Sequence, residues 1–289
     1  MSRETIALTI VLLLAVNACP AGGTNPASDR LHFKVIAGSV IVVPVLVNGR
    51  GPYDFVLDTG AESTLIDTDL AAQLAVTPVD RMRLDSSNGS TVLARAFADK
   101  ISVGPMRVLN SEVLIGSLDA VHSVDRHIRG IVGQSFLRHF DYILDNVHST
   151  VELVTDPGQA TAIRGIRLDL RRTQALPIVT ATLNDSLHAH LLLDSGASNL
   201  TLYRNTGTVA WHYPGVLSKA ELRSSVRANQ VAIGRIPYLE VAGYPFRNIQ
   251  AALLTMDSNG EVDGMLPTNL FSKVYFNNSE AYIILAGER

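Results

Sequence analysis

The stretch LLLDSGASNL, residues 191–200, carries a leucine run into an acid and then into Ser195, Gly196 and Ala197. The leucines read as a buried strand, and the residues after Asp194 are too small to cover a charge. One such aspartate merely starts a turn. The pattern occurs twice, however, because residues 55–64 read FVLDTGAEST. Placing Asp58 on Asp194, an offset of 136, also aligns Asn48 with Asn184, Leu57 with Leu193, Gly60 with Gly196 and Ala61 with Ala197. The apolar Val47, Phe55 and Val56 fall on Leu183, Leu191 and Leu192. Self-similarity of this kind points to a duplicated structural unit. Identity outside the motif is sparse, which marks the duplication as old.

The halves continue in parallel. HFKVIAGSVIVVPVLVNG reads as strands turned at Asn48-Gly49. Residues 67–76, DTDLAAQLAV, combine an N-capping Asp or Thr with the apolar spacing of one short helix. RLDSSNGSTVLARAF, residues 83–97, reads as a hairpin turning at Ser86-Ser87-Asn88-Gly89. Gly104-Pro105 turns the next strand pair, and RGIVGQSFL, residues 129–137, leads into DYILDNVHSTVEL. In the second half, VAGYPFRNIQAALL (241–254) resembles VGPMRVLNSEVLI (103–115), and DGMLPTNLF (263–271) resembles RGIVGQSFL. VYFNNSEAYIIL (274–285) resembles the closing strand of the first half. The join falls in TDPGQATAIRG, residues 155–165, which predicts an N-terminal lobe over 31–157 and a C-terminal lobe over 158–289.

Composition bounds the rest. Short Val, Ile and Leu runs with little helical periodicity predict an all-β protein. A chain of 289 residues suits two domains. With 24 Lys+Arg against 27 Asp+Glu and no basic patch, nucleic acid is not an expected partner. At the N-terminus, Arg3 precedes an apolar stretch from Ile6 to Val16 broken only by Thr9. That is shorter than the roughly 20 residues a spanning helix needs, and it fits a signal peptide over residues 1–18. Val16-Asn17-Ala18-Cys19 is similar to a bacterial lipoprotein lipobox, apart from Asn17. The alternatives are a lipid anchor on Cys19 and ordinary cleavage after Ala18. Cys19 is the only cysteine, so no internal disulfide forms. Residues 19–30 then form a tether. The expected location is the bacterial cell envelope or periplasm, with membrane contact only through that anchor.

Two D-[TS]-G-A motifs, each followed by a Gly-apolar-apolar segment, resemble the aspartic peptidases. The nearest type is the bacterial retropepsin-like proteins that carry both halves on one chain. The resemblance covers nearly everything after residue 31. It implies an all-β, two-lobed pepsin/retropepsin-like acid protease fold with pseudo-two-fold symmetry. It also implies that the two motif loops meet on the axis, with Asp58 and Asp194 as the catalytic acids. Thr59 and Ser195 would each offer a hydroxyl to the opposite loop. Gly130, Ile131 and Val132, and in the second half Gly264, Met265 and Leu266, would pack behind the loops. Gly60 and Gly196 let backbone N–H groups approach the carboxylates without a Cβ in the way. Ser87, Asn88 and Gly89 are the flap candidate, a plain surface hairpin being the alternative. A second-half counterpart near Ser224-Ser225 or Asn229 is left open.

The chemistry follows from the pair. Two carboxylates about 3 Å apart cannot both ionise, so they share a proton. The ionised one takes a proton from water and the protonated one donates to the substrate carbonyl, with no metal and no cofactor. The expected protein is a monomeric aspartic endopeptidase acting on extended polypeptides. The alternative is a non-catalytic peptide- or protein-binding envelope lipoprotein on the same fold. Ala61 and Ala197 stand where pepsin-like enzymes often carry a hydroxyl that bonds the adjacent carboxylate. Losing that bond raises a carboxyl pKa, so the pair is expected to titrate higher and to work at mildly acidic to near-neutral pH. Two positions depart from the family pattern: Pro267 stands where the first half has Gly133, and Ser135 where relatives are often acidic. They read as drift. His188 with His190, and His122 with His127, lack the Cys or acid that would complete a metal set. Trp211 and Tyr213 pack or line a cleft.

Overall fold

The structure is a computed structural model describing residues 29–86, 89–170, 176–184, 186–203, 206, 218–223, 228–254 and 261–288. The expected signal peptide, Cys19, Ser87, Asn88, Trp211, Tyr213, Ser224 and Ser225 lie outside the described residues.

The first half runs β1 (Arg30–His32), β2 (Lys34–Ile36), β3 (Val40–Val47), β4 (Arg50–Leu57), β5 (Leu65–Asp67), α1 (Thr68–Gln73), β6 (Pro78–Ser86) and β7 (Gly89–Val103). It continues with β8 (Met106–Gly116), α2 (Asp119–His122), β9 (Ile128–Val132), α3 (Gln134–Leu137), β10 (Tyr142–Asp145) and β11 (Thr150–Leu153). The second half runs α4 (Pro157–Thr161), β12 (Ile166–Asp169), β13 (Ile178–Leu183), β14 (Leu187–Asp194), β15 (Leu200–Tyr203), β16 (Ser218–Arg223) and β17 (Ala228–Val241). It ends with β18 (Tyr244–Leu254), β19 (Gly264–Pro267), a 3-10 turn (Thr268–Leu270), β20 (Phe271–Asn277) and β21 (Tyr282–Glu288).

Among the described residues these strands form three sheets. One has the order β2-β3-β4-β9-β5-β8-β7-β6 and closes through β3–β7 pairing. The second has the order β13-β14-β19-β15-β18-β17-β16 and closes through β13–β17. From β3 onward the two orders correspond strand for strand. The third sheet, β1-β11-β10-β20-β21-β12, takes half its strands from each half of the chain. Its central strands β10 and β20 are antiparallel, with Ile143 opposite Tyr275. The protein is thus all-β and two-lobed, as expected, and the third sheet joins the lobes.

Strand alternation builds the core. Val43, Val45 and Val47 of β3 face inward with Phe55 and Leu57 of β4, all fully buried. They are continuous with Leu183, Leu191 and Leu193 of the other lobe and with Phe276 between them. Burying one side chain of this size is worth about 1.5–3 kcal/mol. The repeat also shows in the backbone. Asn48 and Asn184 both hold positive φ (51° and 48°), as do Asn110 and Asn248 (48° and 54°) and Ser149 and Ala281 (59° for Ala281, 54° for Ser149). The last pair keeps its conformation after its identity has diverged.

Three local expectations are adjusted. Arg30 is not tether: it sits in β1 and pairs with Glu152 at 2.7 Å. The expected helix at 67–76 is present as α1, but Asp67 makes no side-chain cap bond to it. Its carboxylate lies 3.2 Å from Arg129 Nε on β9 instead. RGIVGQSFL carries a helical turn, α3, because Gly133 ends the strand and the chain turns behind the first motif loop.

Candidate active site

Each motif loop starts where a buried strand ends. β4 runs parallel to β9, with Leu57 opposite Val132, and the Asp58 N–H donates to the Val132 carbonyl at 3.0 Å. β14 runs parallel to β19, with Leu193 opposite Leu266 and Asp194 opposite Pro267. Gly130, Ile131 and Val132 therefore lie in β9, between β4 and β5. Gly264, Met265 and Leu266 lie in β19, between β14 and β15.

The loops knot together. Thr59 Oγ1 donates to the Leu193 carbonyl at 2.8 Å and accepts from the Ser195 N–H at 3.0 Å. Ser195 Oγ donates to the Leu57 carbonyl at 2.8 Å and accepts from the Thr59 N–H at 3.0 Å. Both hydroxyls are buried, and each uses its donor and an acceptor lone pair. Each such bond contributes about 0.5–1.5 kcal/mol net. Their larger effect is to fix the register of one loop against the other.

The register brings the Asp58 and Asp194 carboxyls into mutual hydrogen bonding. A Cβ on Gly60 would sit 2.7 Å from Asp194 Cγ, and one on Gly196 would sit 2.9 Å from Asp58 Cγ. Each glycine thus lies against the acid of the other loop, where no other residue fits. Gly60 N–H donates to Asp58 Oδ1 at 2.9 Å. Gly196 and Ala197 N–H donate to Asp194 Oδ1 at 2.7 and 3.2 Å. Asp194 is buried, whereas Asp58, Gly60, Ala61, Gly196 and Ala197 keep some exposure, so the pair has a solvent side.

Burial raises both carboxyls above the usual range. Asp194 goes well above it, because the Asp58 charge adds to desolvation. Asp58 rises less: against its desolvation stand the hydrogen bond with Asp194 and those from the Gly60 and Ala61 backbone. The first cause of the rise is burial, and the backbone N–H groups of Ala61 and Ala197 act against it. With both carboxyls raised and in contact, the pair holds a proton in common.

A support behind the first loop escaped the sequence reading. Gln134 Nε2 donates to the Thr59 carbonyl at 2.8 Å, and the Gln134 and Ser135 N–H groups donate to the Ala61 and Glu62 carbonyls at 2.8 and 2.9 Å. Ser135 Oγ accepts the Thr64 N–H at 2.8 Å and bonds Thr64 Oγ1 at 3.0 Å. Ser135, read as drift, is thus part of the loop's support. The available signal was position: these residues directly follow the Gly-apolar-apolar segment.

The first hairpin is β6–β7, paired up to Ser86 opposite Gly89, so Gly89 is its first described residue past the tip. Met82 and Leu93 of this hairpin pack on the same apolar cluster as Ala61, which also contains Leu65 and Ile131. Arg95, near the hairpin base, is ion-paired to Asp80 and, at 3.2 Å, to Glu112. The second-half hairpin is β16–β17, with Arg223 opposite Ala228. Asn229 is therefore within β17, not at a turn. The histidines have other partners: His122 Nε2 contacts the Ile128 carbonyl at 2.8 Å, and His127 Nδ1 contacts Asp125 at 2.9 Å. His190 N–H donates to Asp263 at 2.9 Å, and His188 Nδ1 lies 3.4 Å from Thr182 Oγ1.

Two lobes of one topology, knotted at paired Asp-hydroxyl-Gly loops, are the arrangement that the resemblance to the acid proteases implies. Residues 43–136 match the family model described as aspartyl protease. That match supports the assignment to the aspartic peptidase superfamily, retropepsin-like, that the motifs imply. It takes in Asp58 and β9 and ends before Asp194. Among curated proteins, none matches the chain.

Proposed function

We propose that this protein is an aspartic endopeptidase in which Asp58 and Asp194 activate water against a peptide carbonyl. The observation that carries the proposal is the hydrogen-bonded acid pair, held by the Thr59–Ser195 knot, with both carboxyls raised by burial. In this reading Asp58, in its ionised form, takes a proton from the attacking water. Asp194 gives its proton to the carbonyl oxygen as the tetrahedral intermediate forms. Return of protons to the leaving amine and to the pair restores the starting state, with no metal and no covalent intermediate. The titration belongs to the pair as a whole.

The substrate is an extended polypeptide, which offers main-chain hydrogen bonds and apolar side chains to a groove. The packing of Met82 and Leu93 with Ala61 supports the β6–β7 hairpin as the flap over that groove. The export-type N-terminal segment supports an envelope substrate, with Cys19 as the anchor if it is lipidated. Intact-mass measurement of the mature N-terminus distinguishes a lipidated Cys19 from simple cleavage.

One observation favours the alternative of a non-catalytic binding protein: among the described residues, the second loop has no counterpart to the Gln134 and Ser135 bonds of the first. The test is cleavage of a denatured protein mixture by wild type and by Asp58→Asn. Loss of about 10²–10⁴-fold in rate is expected from removing one member of an acid–base pair. Equal background from both proteins would favour binding without turnover.

A further inference from the structure

Behind the acid loops the lobes meet a second time, at two asparagines. Asn146 follows β10 and Asn278 follows β20, related by the axis on which Ile143 faces Tyr275. Asn146 is 3 % exposed, and its Nδ2 donates to the Thr268 and Phe271 carbonyls of the other lobe at 2.9 and 3.0 Å. Asn278 is half-buried, and its Nδ2 donates to the Leu137 and Phe140 carbonyls at 3.1 and 2.7 Å.

The chemistry is specific. The end of a helical turn leaves carbonyls without intrahelical donors. An asparagine amide offers two N–H groups in one plane, and each asparagine gives both to carbonyls three residues apart across the lobe boundary. An aspartate of the same shape, when ionised, has nothing to donate. The carbonyls are also well chosen. Leu137 ends α3, whose other end holds the Thr59, Ala61 and Glu62 carbonyls of the first loop. Thr268 starts the turn after Pro267, which pairs with Asp194. Lys273 to Asp145 at 2.8 Å and the stacked Tyr142–Phe276 rings tie the strands, and Ser279, beside Asn278, adds two bonds to Asp141 at 3.0 and 2.6 Å.

We infer that Asn146 and Asn278 are positioning residues, a reciprocal clasp that ties the support of each acid loop to the opposite lobe and so sets the spacing of Asp58 and Asp194. The inference rests on the acid-pair reading of the site.

The experiment compares Asn278→Ala and Asn146→Ala with Lys273→Met. Three quantities are read: the unfolding temperature, the carboxyl titration of the pair by ¹³C NMR, and kcat and KM on an extended peptide. The titrations are assigned with Asp58→Asn and Asp194→Asn. Both alanine variants should lower kcat by about tenfold or more with KM little changed, as a displaced reacting group does. The gap between the two titration steps should narrow. Lys273→Met should lower the unfolding temperature and leave kcat and the titration at wild-type values. If the alanine variants lose only unfolding temperature, with kcat and titration unchanged, the clasp is structural and the inference is overturned. If wild type cleaves nothing, the protease reading fails, and the titration alone still decides the clasp. Should Asn146→Ala not fold, the half-buried Asn278 carries the test.

Discussion

The two acid loops share a motif and a knot but not a foundation. The first rests on α3: three of its carbonyls accept from Gln134 and Ser135, and Thr64 bonds Ser135. The chain there is so close that a Cβ on Gly133 would lie 2.5 Å from the Ser63 carbonyl oxygen. The second loop faces Pro267 instead, and among the described residues no hydrogen bond runs from residues 268–270 to residues 195–199. It depends on the knot, on β19 and on its own turn. Symmetry has been kept where the copies touch each other and relaxed where each touches only its own lobe. The acids themselves are both raised above the usual carboxyl range, first by burial, Asp194 with the added effect of the Asp58 charge.

The sharpest way to break this comparison is to remove the unequal support. Gln134→Leu frees the Thr59 carbonyl and should lower kcat by roughly 10–100-fold, the scale set by a displacement of about 1 Å. Thr268→Val, at the matching position, should change kcat by less than about threefold, because no side-chain tie to the second loop is lost. Steady-state kinetics on one peptide decide it, and equal losses would show the loops to be equivalently held.

A second comparison concerns charge. Asp194 has a folded pKa raised well above its unfolded value, so its contribution to stability is present below about pH 3.8 and lost as pH rises through the folded value. Asp194→Asn should therefore raise the unfolding temperature at pH 7 by several degrees, at roughly 2–4 °C per kcal/mol for a chain of this size. Asp58→Asn should raise it less, and both gains should vanish under acid. Thermal melts across pH 3–8 would show whether the order is reversed.

The smallest effect lies in the joining sheet. Burial acts to raise the Asp145 carboxyl, but the hydrogen bonds from Lys273 and His148 outweigh it and hold it at about 2. Its stabilising effect is present above pH 3.8 and lost as pH falls through about 2. Lys273→Met should cost about 1 kcal/mol at pH 6, allowing for the solvent exposure of Lys273. Denaturant melts should show that cost shrinking toward pH 2.

What could be read in advance was what duplication repeats in side chains. Asp58, Thr59 and Gly60 were legible because Asp194, Ser195 and Gly196 copy them, and β9 and β19 because a buried parallel strand needs a glycine and apolar neighbours. Gln134 and Ser135 were not, since their partners are backbone carbonyls, which have no sequence signature. The second hairpin could be placed only as a choice between Ser224-Ser225 and Asn229, because no Asn-Gly marks its turn; the pairing of β17 with β18 reveals the correspondence to β7. Arg30 looked like tether because three residues of edge strand have no periodicity to detect. Asn146 and Asn278 stood in aligned segments, but their partners too are backbone carbonyls.

The joining sheet also governs biosynthesis. β10 pairs at once with β11 on one side, but its neighbour on the other side, β20, comes more than a hundred residues later. A growing chain therefore cannot close the joining sheet until β20 has been made, long after β10 and β11. Closing so long a loop comes late and slowly.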